Sequence, residues 1–297
     1  MITESLSGIK DLLIEVIDES LNLIKKSENI DYKIKDKNKI TGDNPVTEID
    51  LKTQNLIISK IHSKFPKHAI LGEEGKFNKK IVKSDYLWII DPIDGTKNFI
   101  NALPLYCVSI AVMFQGNIIA GAIGLPWKNN FIISAFEGSG LQSTSPKRYM
   151  VENSKPSAGL ITFAPTYFQR SYGIKRNFLQ SSGEIRNLGS TAAELALVAN
   201  GNAQLSLSGY AFTWDFAAAW ILVKESNKKI FFGNLNDNKW QDINPWKKYY
   251  NNGLYELDKL KNWRGKFMAC QREHTEFLLN NIKPNGRKKR FPFINLF

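Results

Sequence analysis

Residues 88–99 read WIIDPIDGTKNF, an apolar run that ends in two carboxylates. Trp88, Ile89 and Ile90 read as a strand that will be buried. Asp91 and Asp94 then flank Pro92-Ile93, and Gly95-Thr96 follows. A carboxylate at the end of a buried strand is costly unless something neutralises it. Paired acids need a shared proton, a basic partner or a cation. The segment offers Lys97, and one lysine cannot compensate every acid around it. Whatever this chain folds into must solve that problem at this strand end.

Further acids stand in similar settings. Glu73 and Glu74 follow a short strand, 69–71, in ILGEEG, and Asp215 begins a helix in TWDFAAAW. Singly, each has an ordinary reading: an acid at a helix start is an N-cap, and two acids in a turn are solvated. Together, Glu73, Asp91, Asp94 and Asp215 all sit at element ends beside residues that must be buried. All-oxygen carboxylate clusters are what Mg²⁺ prefers. The Ile93 carbonyl, in the tight DPIDG turn, is placed to add another oxygen. The Gly95-Thr96-Lys97 N–H groups would start a helix, and a helix start binds phosphate. Metal carboxylates beside an anion cradle indicate metal-assisted phosphate chemistry.

Other chemistries have little to work with. The chain has three histidines, His62, His68 and His274, none beside a candidate nucleophile or an acidic cluster. Ser-His-Asp and Cys-His mechanisms are therefore not expected. Cys107 and Cys270 lack a partner at short spacing, which argues against a disulfide framework or a zinc site. Cys107, in LYCVSIAVMF, reads as a packed thiol. The net charge of +12 concentrates in 32–39 (YKIKDKNK) and in Arg287-Lys288-Lys289-Arg290. Such an excess serves nucleic acid, membrane surfaces or anionic substrates, and runs like these are usually solvated faces. No signal peptide is visible in the first twenty residues, and no stretch reaches the roughly 18 apolar residues needed to span a bilayer. The expected location is the cytoplasm, with no membrane partner.

At 297 residues and 43% hydrophobic content, the chain is long enough for one large domain or two ordinary ones. Helical spacing over 3–28 predicts a long amphipathic helix. Residues 29–45 read as a loop or hairpin. A second helix is expected from Thr47 to Phe65, with Thr47 and Asp50 fitting a capping pattern and Pro66 stopping it. Strands are expected at 69–71, 86–90, 105–114, 118–125 and 131–135, the last three as a meander. From about residue 150 the pattern changes. A strand in 159–165 leads to a helix over 167–180, a strand at 184–188 to a helix over 191–199, and a strand at 203–207 to a helix over 215–225. This alternation points to a second, α/β layer.

The motifs carry a family resemblance. WIIDPIDGTKNF resembles the signature of the inositol monophosphatase family, DP(I/L)DGTxNF, and WDFAAAW is similar to its WDxAAG. ILGEEG matches the upstream glutamate element, NPVTEID (44–50) matches D-x-V-T-x-x-D in part, and LGSTAAELALVANGNAQL (188–205) is similar to the substrate-side helix. Order and spacing agree from the first helix to about residue 282. The resemblance implies an α+β/α/β fold, a layered αβαβα sandwich of the inositol monophosphatase / fructose-1,6-bisphosphatase type. Residues 1–150 would form an α+β metal-binding half and 151–283 an α/β half closing over the substrate, with 284–297 a basic tail beyond the match.

It also implies roles. Glu73, Asp91, the Ile93 carbonyl and Thr96 are expected at one Mg²⁺, and Asp91, Asp94 and Asp215 at a second, with a third, weaker ion near Glu73. Metal-activated water near Glu73 and Thr96 is the expected nucleophile. Asp94, Gly95, Thr96, Lys97 and Asp215 are expected to meet the substrate, with the backbone N–H groups of Gly95, Thr96 and Lys97 holding its phosphate. Gly189, Ser190 and Thr191 correspond to pocket-lining residues, and LGSTAAE is equally a helix capping box.

Three departures bear on the substrate. Asn44 stands where the family places the aspartate that orients the threonine and its water. Ser208 stands where inositol-specific members place a glutamate that binds sugar hydroxyls. Lys97, in place of a frequent threonine, favours a more anionic substrate. Inositol monophosphate is the first expectation; histidinol phosphate, 3′(2′),5′-bisphosphate nucleotides and fructose 1,6-bisphosphate are the alternatives. A lysine of the 33–39 loop, Lys35 or Lys37, is a further candidate for ligand contact. A homodimer is expected by analogy. A different class, a regulatory RNA- or transcription-associated protein on the same fold, is the runner-up. The full set of acids argues for the enzyme and against a nucleic-acid partner.

Overall fold

The computed structural model describes residues 2–27, 34–36, 45–75, 80–127, 129–144, 155–166, 168, 172–233 and 239–284. Asn44, the side chains of Lys33, Lys35 and Lys37, the expected boundary at 150/151 and the tail beyond 284 lie outside the described residues.

Two six-stranded sheets organise the chain. The first runs in the order β1 (Ala69–Gly72), β2 (Tyr86–Asp94), β3 (Cys107–Phe114), β4 (Asn117–Leu125), β5 (Phe131–Phe136) and β6 (Leu141–Ser143). β1 lies parallel to β2, and the remaining neighbours are antiparallel. Successive side chains of a strand point to opposite faces. Leu87 and Ile89 of β2 enter one core, while Trp88 and Ile90 enter another. Likewise Ala111 and Met113 of β3 separate from Val108, Ile110 and Val112. Both faces are covered, which is why these strands read as unbroken apolar runs.

Helices α1 (Ile2–Ser27) and α2 (Glu48–Lys64) cover one face, burying Ile9, Leu13, Ile17 and Leu21 of α1 and Ile57 and Ile61 of α2. The capping box at α2 forms as expected: Asp50 Oδ2 accepts the Thr47 N–H at 2.8 Å, and Thr47 Oγ1 accepts the Ile49 N–H at 3.1 Å. Beyond the short α3 (Thr96–Ile100) and α4 (Arg176–Ser181), helices α5 (Thr191–Asn200) and α6 (Thr213–Glu225) cover the other face. α6 buries every residue from Thr213 to Val223 except Asp215. A helix apolar all round is one packed on both sides, and a second sheet lies beneath it.

That sheet has the order β8 (Glu184–Arg186), β7 (Ile161–Phe163), β9 (Leu205–Phe212), β12 (Arg264–Cys270), β10 (Lys229–Gly233), β11 (Trp240–Gln241). The β8-β7-β9 stretch is parallel and the rest antiparallel. Ile230, Phe232, Phe267 and Ala269 share the core of α5 and α6, which α7 (Leu257–Asn262) closes with Leu260. Phe231, Met268 and Cys270 face outward, where Phe178 of α4 and Leu278 of α8 (Thr275–Asn281) cover them. The layers are thus α-β-α-β-α, as the resemblance implies.

Some expected elements are corrected. The helix over 167–180 is interrupted: Phe168 is helical, Tyr172–Ile174 is a strand, and α4 follows it. That strand pairs antiparallel with Ile282–Pro284, a partner over a hundred positions away that local periodicity cannot reveal. The 203–207 strand begins at Leu205 and runs on to Phe212 because β12 pairs with it across a bulge between Ser208 and Ala211. The 105–114 strand begins at Cys107, and that at 184–188 stops at Arg186.

The fit of α6 against the first sheet depends on Gly121 of β4. A Cβ there would lie 2.9 Å from the Ala218 carbonyl oxygen and 2.7 Å from Ile221 Cγ2. Gly121→Ala should therefore lower the unfolding free energy by about 1–3 kcal/mol through overpacking, read as a lower urea midpoint at unchanged slope. An unchanged midpoint would mean that α6 does not press on β4 as described.

Candidate active site

The acids of the 88–99 segment do not follow a finished strand; they are in it. β2 continues through Asp94, with Asp91 opposite Ser109 and Asp94 opposite Cys107, and the register shifts between them. In a regular strand residues three apart face opposite sides. The irregularity re-aims one of them, as a bulge does. Pro92 contributes no ladder N–H, and the Ile93 N–H turns back to Asp91 Oδ1 at 3.0 Å. The tight turn expected here is this irregularity within the strand. Its result is that Asp91, Asp94 and Asp215 offer carboxylate oxygens that all lie within 4.8 Å of one another.

Asp215 reaches the cluster from α6. It occupies the third helical position rather than the first, and its Oδ2 accepts the Phe212 N–H at 2.8 Å. Glu73 joins from the end of β1, where its N–H bonds the Ile90 carbonyl at 3.0 Å and its carboxyl meets Asp91. Its neighbour Glu74 is tied by its backbone to the side chain of Gln54 and does not line the pocket.

The acids line a cavity of about 350 Å³, shared with Ile93, Gly95, Thr96 and Lys97. Asp91 is 1% exposed, and its carboxyl is pushed well above the usual range, first by burial and then by the charges of Glu73, Asp94 and Asp215. Asp94 is pushed up to about 6 by burial, against the pull of hydrogen bonds from the Ser190 hydroxyl at 2.7 Å and the Ala192 N–H at 2.6 Å. Asp215 also rises well above its usual value, through burial and then Asp94, while the Phe212 N–H opposes the rise. Lys97, the basic residue of the lining, is exposed. Oxygen donors crowded together without a buried cationic side chain in the lining fit a hard divalent cation such as Mg²⁺.

Gly95 precedes α3 at φ +94°, a conformation that suits glycine. Thr96 Oγ1 donates to the Ile93 carbonyl at 3.0 Å, with Asp50 Oδ1 at 3.3 Å. Asp50, the last acid of NPVTEID, does more than cap: it is fully buried and its two oxygens serve Thr47 and Thr96. Ala192 and Asn98 are not among the expected site residues. Asn98 Nδ2 bonds the Leu105 and Leu188 carbonyls. The asparagine of GTKNF was the available signal.

The remaining expected positions divide. Gly189, at φ +74°, lines the carboxylate cavity. Ser190 caps α5, accepting the Ala193 N–H at 3.3 Å; the third helical residue is Ala193, which has no side-chain acceptor, so the expected capping box reduces to this single bond. Glu194 reaches back to the Leu188 N–H at 2.7 Å. Ser190, Thr191 and Ser208 line an adjoining cavity of about 230 Å³, which meets the first at Gly189. Cys107 is buried as expected, with its sulfur 3.5 Å from Ser190 Oγ. No histidine lines either cavity.

The sequence profile of the inositol monophosphatase family matches residues 5–276. The chain is 32% identical over 224 residues to a fructose-1,6-bisphosphatase/inositol-1-monophosphatase of Thermotoga maritima, covering 73% of this chain and 81% of that protein. It is 32% identical over 188 residues to the Nus factor SuhB of Pasteurella multocida, covering 61% of this chain and 69% of that one. Among solved structures, an IMPase of Thermotoga maritima aligns with a TM-score of 0.69 at 25% identity, covering 92% of this chain and 96% of that chain. An IMPase/NADP phosphatase complexed with Mg²⁺ and phosphate aligns at 0.68 and 21% identity, covering 97% and 100%, and shares the fold.

The raised acids make a pH prediction for metal-free protein. A carboxyl whose folded value exceeds its unfolded value holds a proton that the unfolded chain releases, so stability falls as pH rises between the two. For Asp94 that window runs from 3.8 to about 6, and the loss is on the order of 2–3 kcal/mol. For Glu194, pushed up to about 8 by burial, the window extends further. Melts of chelator-treated protein should show Tm falling from pH 4 to 8, and Asp94→Asn should shallow the fall below pH 6. A Tm that rises across that range would contradict the electrostatics described.

Proposed function

We propose that this chain, which belongs to the inositol monophosphatase family, releases phosphate from a small metabolite monoester, with inositol monophosphate as the first substrate to test. Membership makes it a phosphoric monoester hydrolase of a metal-dependent family. The observation that carries the reading is the convergence of Asp91, Asp94 and Asp215 within 4.8 Å in one cavity.

Glu73, Asp91, Asp94, Asp215 and the Ile93 carbonyl would hold two or three Mg²⁺. Bound Mg²⁺ would lower the pKa of water to make the nucleophile and offset the charge of the phosphate. Thr96, with its hydroxyl on the Ile93 carbonyl, would orient that water beside Glu73. The first N–H groups of α3, from Thr96 and Lys97, have no partner within the helix, and with Gly95 they would receive phosphate oxygens. Water attacks phosphorus, the ester P–O bond breaks, and the leaving alcohol takes a proton from solvent. Gly189 opens the way from the phosphate to the polar cavity of Ser190, Thr191 and Ser208, where the alcohol portion would lie. Residues 1–150 would thus supply Glu73, Asp91 and Asp94, and residues 151–283 Asp215 and the opposite wall. Homodimerisation and a cytoplasmic location belong to the same reading; among the described residues no helix is long and apolar enough to cross a membrane.

The test is phosphate release over a panel containing inositol monophosphate, histidinol phosphate, a 3′,5′-bisphosphate nucleotide and fructose 1,6-bisphosphate. Activity should require Mg²⁺, and Asp91→Asn should lower it by at least about 10²-fold. A panel with no turnover, or an equally active Asp91→Asn, would overturn the reading. Asn44→Asp should raise kcat by giving Thr96 a better proton acceptor; a fall would assign the amide its own role. The net charge of +12 and relatives called Nus factor SuhB favour the regulatory reading as the second. Salt-sensitive RNA binding that survives chelation would support it.

A further inference from the structure

Asn98 is the polar side chain of the 88–99 segment to which the proposed chemistry gives no task. Its Nδ2 donates to the Leu105 carbonyl at 2.7 Å and to the Leu188 carbonyl at 2.7 Å. A primary amide nitrogen carries two hydrogens, and both are used. Both partners are backbone acceptors, so the orientation of the amide is forced. Leu105 leads into β3, beside the strand that carries Asp91 and Asp94. Leu188 lies in the turn between β8 and α5, which belongs to the other sheet. One side chain therefore fastens the two sheets' connections together at the edge of the acid cluster.

The turn it grips is the one that holds Asp94. Within it, Glu194 Oε1 accepts the Leu188 N–H at 2.7 Å and Asn187 Oδ1 accepts the Gly189 N–H at 2.9 Å. Two residues beyond Leu188, Ser190 Oγ donates to Asp94 Oδ2 at 2.7 Å, and the Ala192 N–H donates to the same oxygen at 2.6 Å. The approach is close: a Cβ on Gly189 would lie 3.2 Å from Asn98 Nδ2.

We infer that Asn98 is a positioning residue: by fixing the Leu188 carbonyl it sets the first turn of α5 so that one Asp94 oxygen is captured by Ser190 and Ala192 and the other is left to the acid cluster. The inference rests on the function proposed above. Loss of groups that orient metal ligands typically weakens metal affinity or activity 10- to 100-fold. Asn98 differs from those that bond the carboxylate directly, because it acts on the helix that does so.

The test is Mg²⁺ titration of the full chain by calorimetry, beside kcat and KM for phosphate release and the Tm in chelator. Asn98→Ser should raise the Mg²⁺ Kd at least about tenfold and lower kcat at saturating substrate. Gly189→Ala, which crowds the same contact from the other side, should do the same, and serves if the serine variant does not fold. Because both groups act through Asp94, Asn98→Ser combined with Ser190→Ala should bind Mg²⁺ no more weakly than the weaker single variant. A merely structural role would lower Tm in chelator and leave Kd within twofold of the unmutated chain; that outcome, or full additivity, overturns the inference. An unmutated chain that binds no Mg²⁺ overturns the proposed function together with this inference, whereas binding that Asn98→Ser retains overturns this inference alone.

Discussion

The interaction on which the rest depends is repulsion among carboxylates held at one end of the first sheet. Water would dissolve that repulsion, and burial withholds water. The described residues relieve it in part, with the Ser190 hydroxyl on Asp94, the charge of Arg264 near Asp215 and backbone dipoles. The Ala192 N–H at the start of α5 goes to Asp94, and the Phe212 N–H at the start of α6 goes to Asp215. Helix N-termini stabilise negative charge to a limited extent, and both acids still stand above their ordinary values. The site remains underneutralised by the protein alone.

The layered architecture follows from supplying those two N-termini. α5 and α6 must both end their approach at the same strand end, so both must lie on the same face of the first sheet. Lying there, they present a second apolar face that needs cover, and the second sheet provides it. Small residues make the approach possible: Ala217, Ala218 and Ala219 sit on α6 and Gly121 on β4. In this sense the apolar helix TWDFAAAW is a consequence of where Asp215 has to be.

Much of this was legible in the sequence because it is local. The capping box at Thr47 and Asp50, the long first helix and the meander each depend on residues a few positions apart. The acids were legible because charge beside a buried run is conspicuous. What stayed hidden depends on distant partners. The strand Tyr172–Ile174 exists because Ile282–Pro284 pairs with it, and β9 runs to Phe212 because β12 does. The capping pattern accounts for one oxygen of Asp50, and only the fold brings the second near Thr96. Ser190 and Thr191 both stand in LGSTAAE, and only the fold distinguishes them, by placing Asp94 against Ser190.

The same logic accounts for the histidines. His68 is stacked between Phe65 and Tyr86, accepts the Trp88 indole N–H at Nδ1, and is lowered to about 4 by burial. It is neutral and structurally committed. His274 is fully buried outside both cavities, and His62 is exposed on α2. With no imidazole at hand, a nucleophile must be generated by another route, and the acid cluster is the group of residues able to host one. A proton neutralises one acid at a time. A divalent cation satisfies several together and brings water with it. The arrangement that is unfavourable for the metal-free fold is therefore the one that would give a cation its affinity, and the side chains that hold the acids in place would act on stability and on the proposed chemistry through the same contacts.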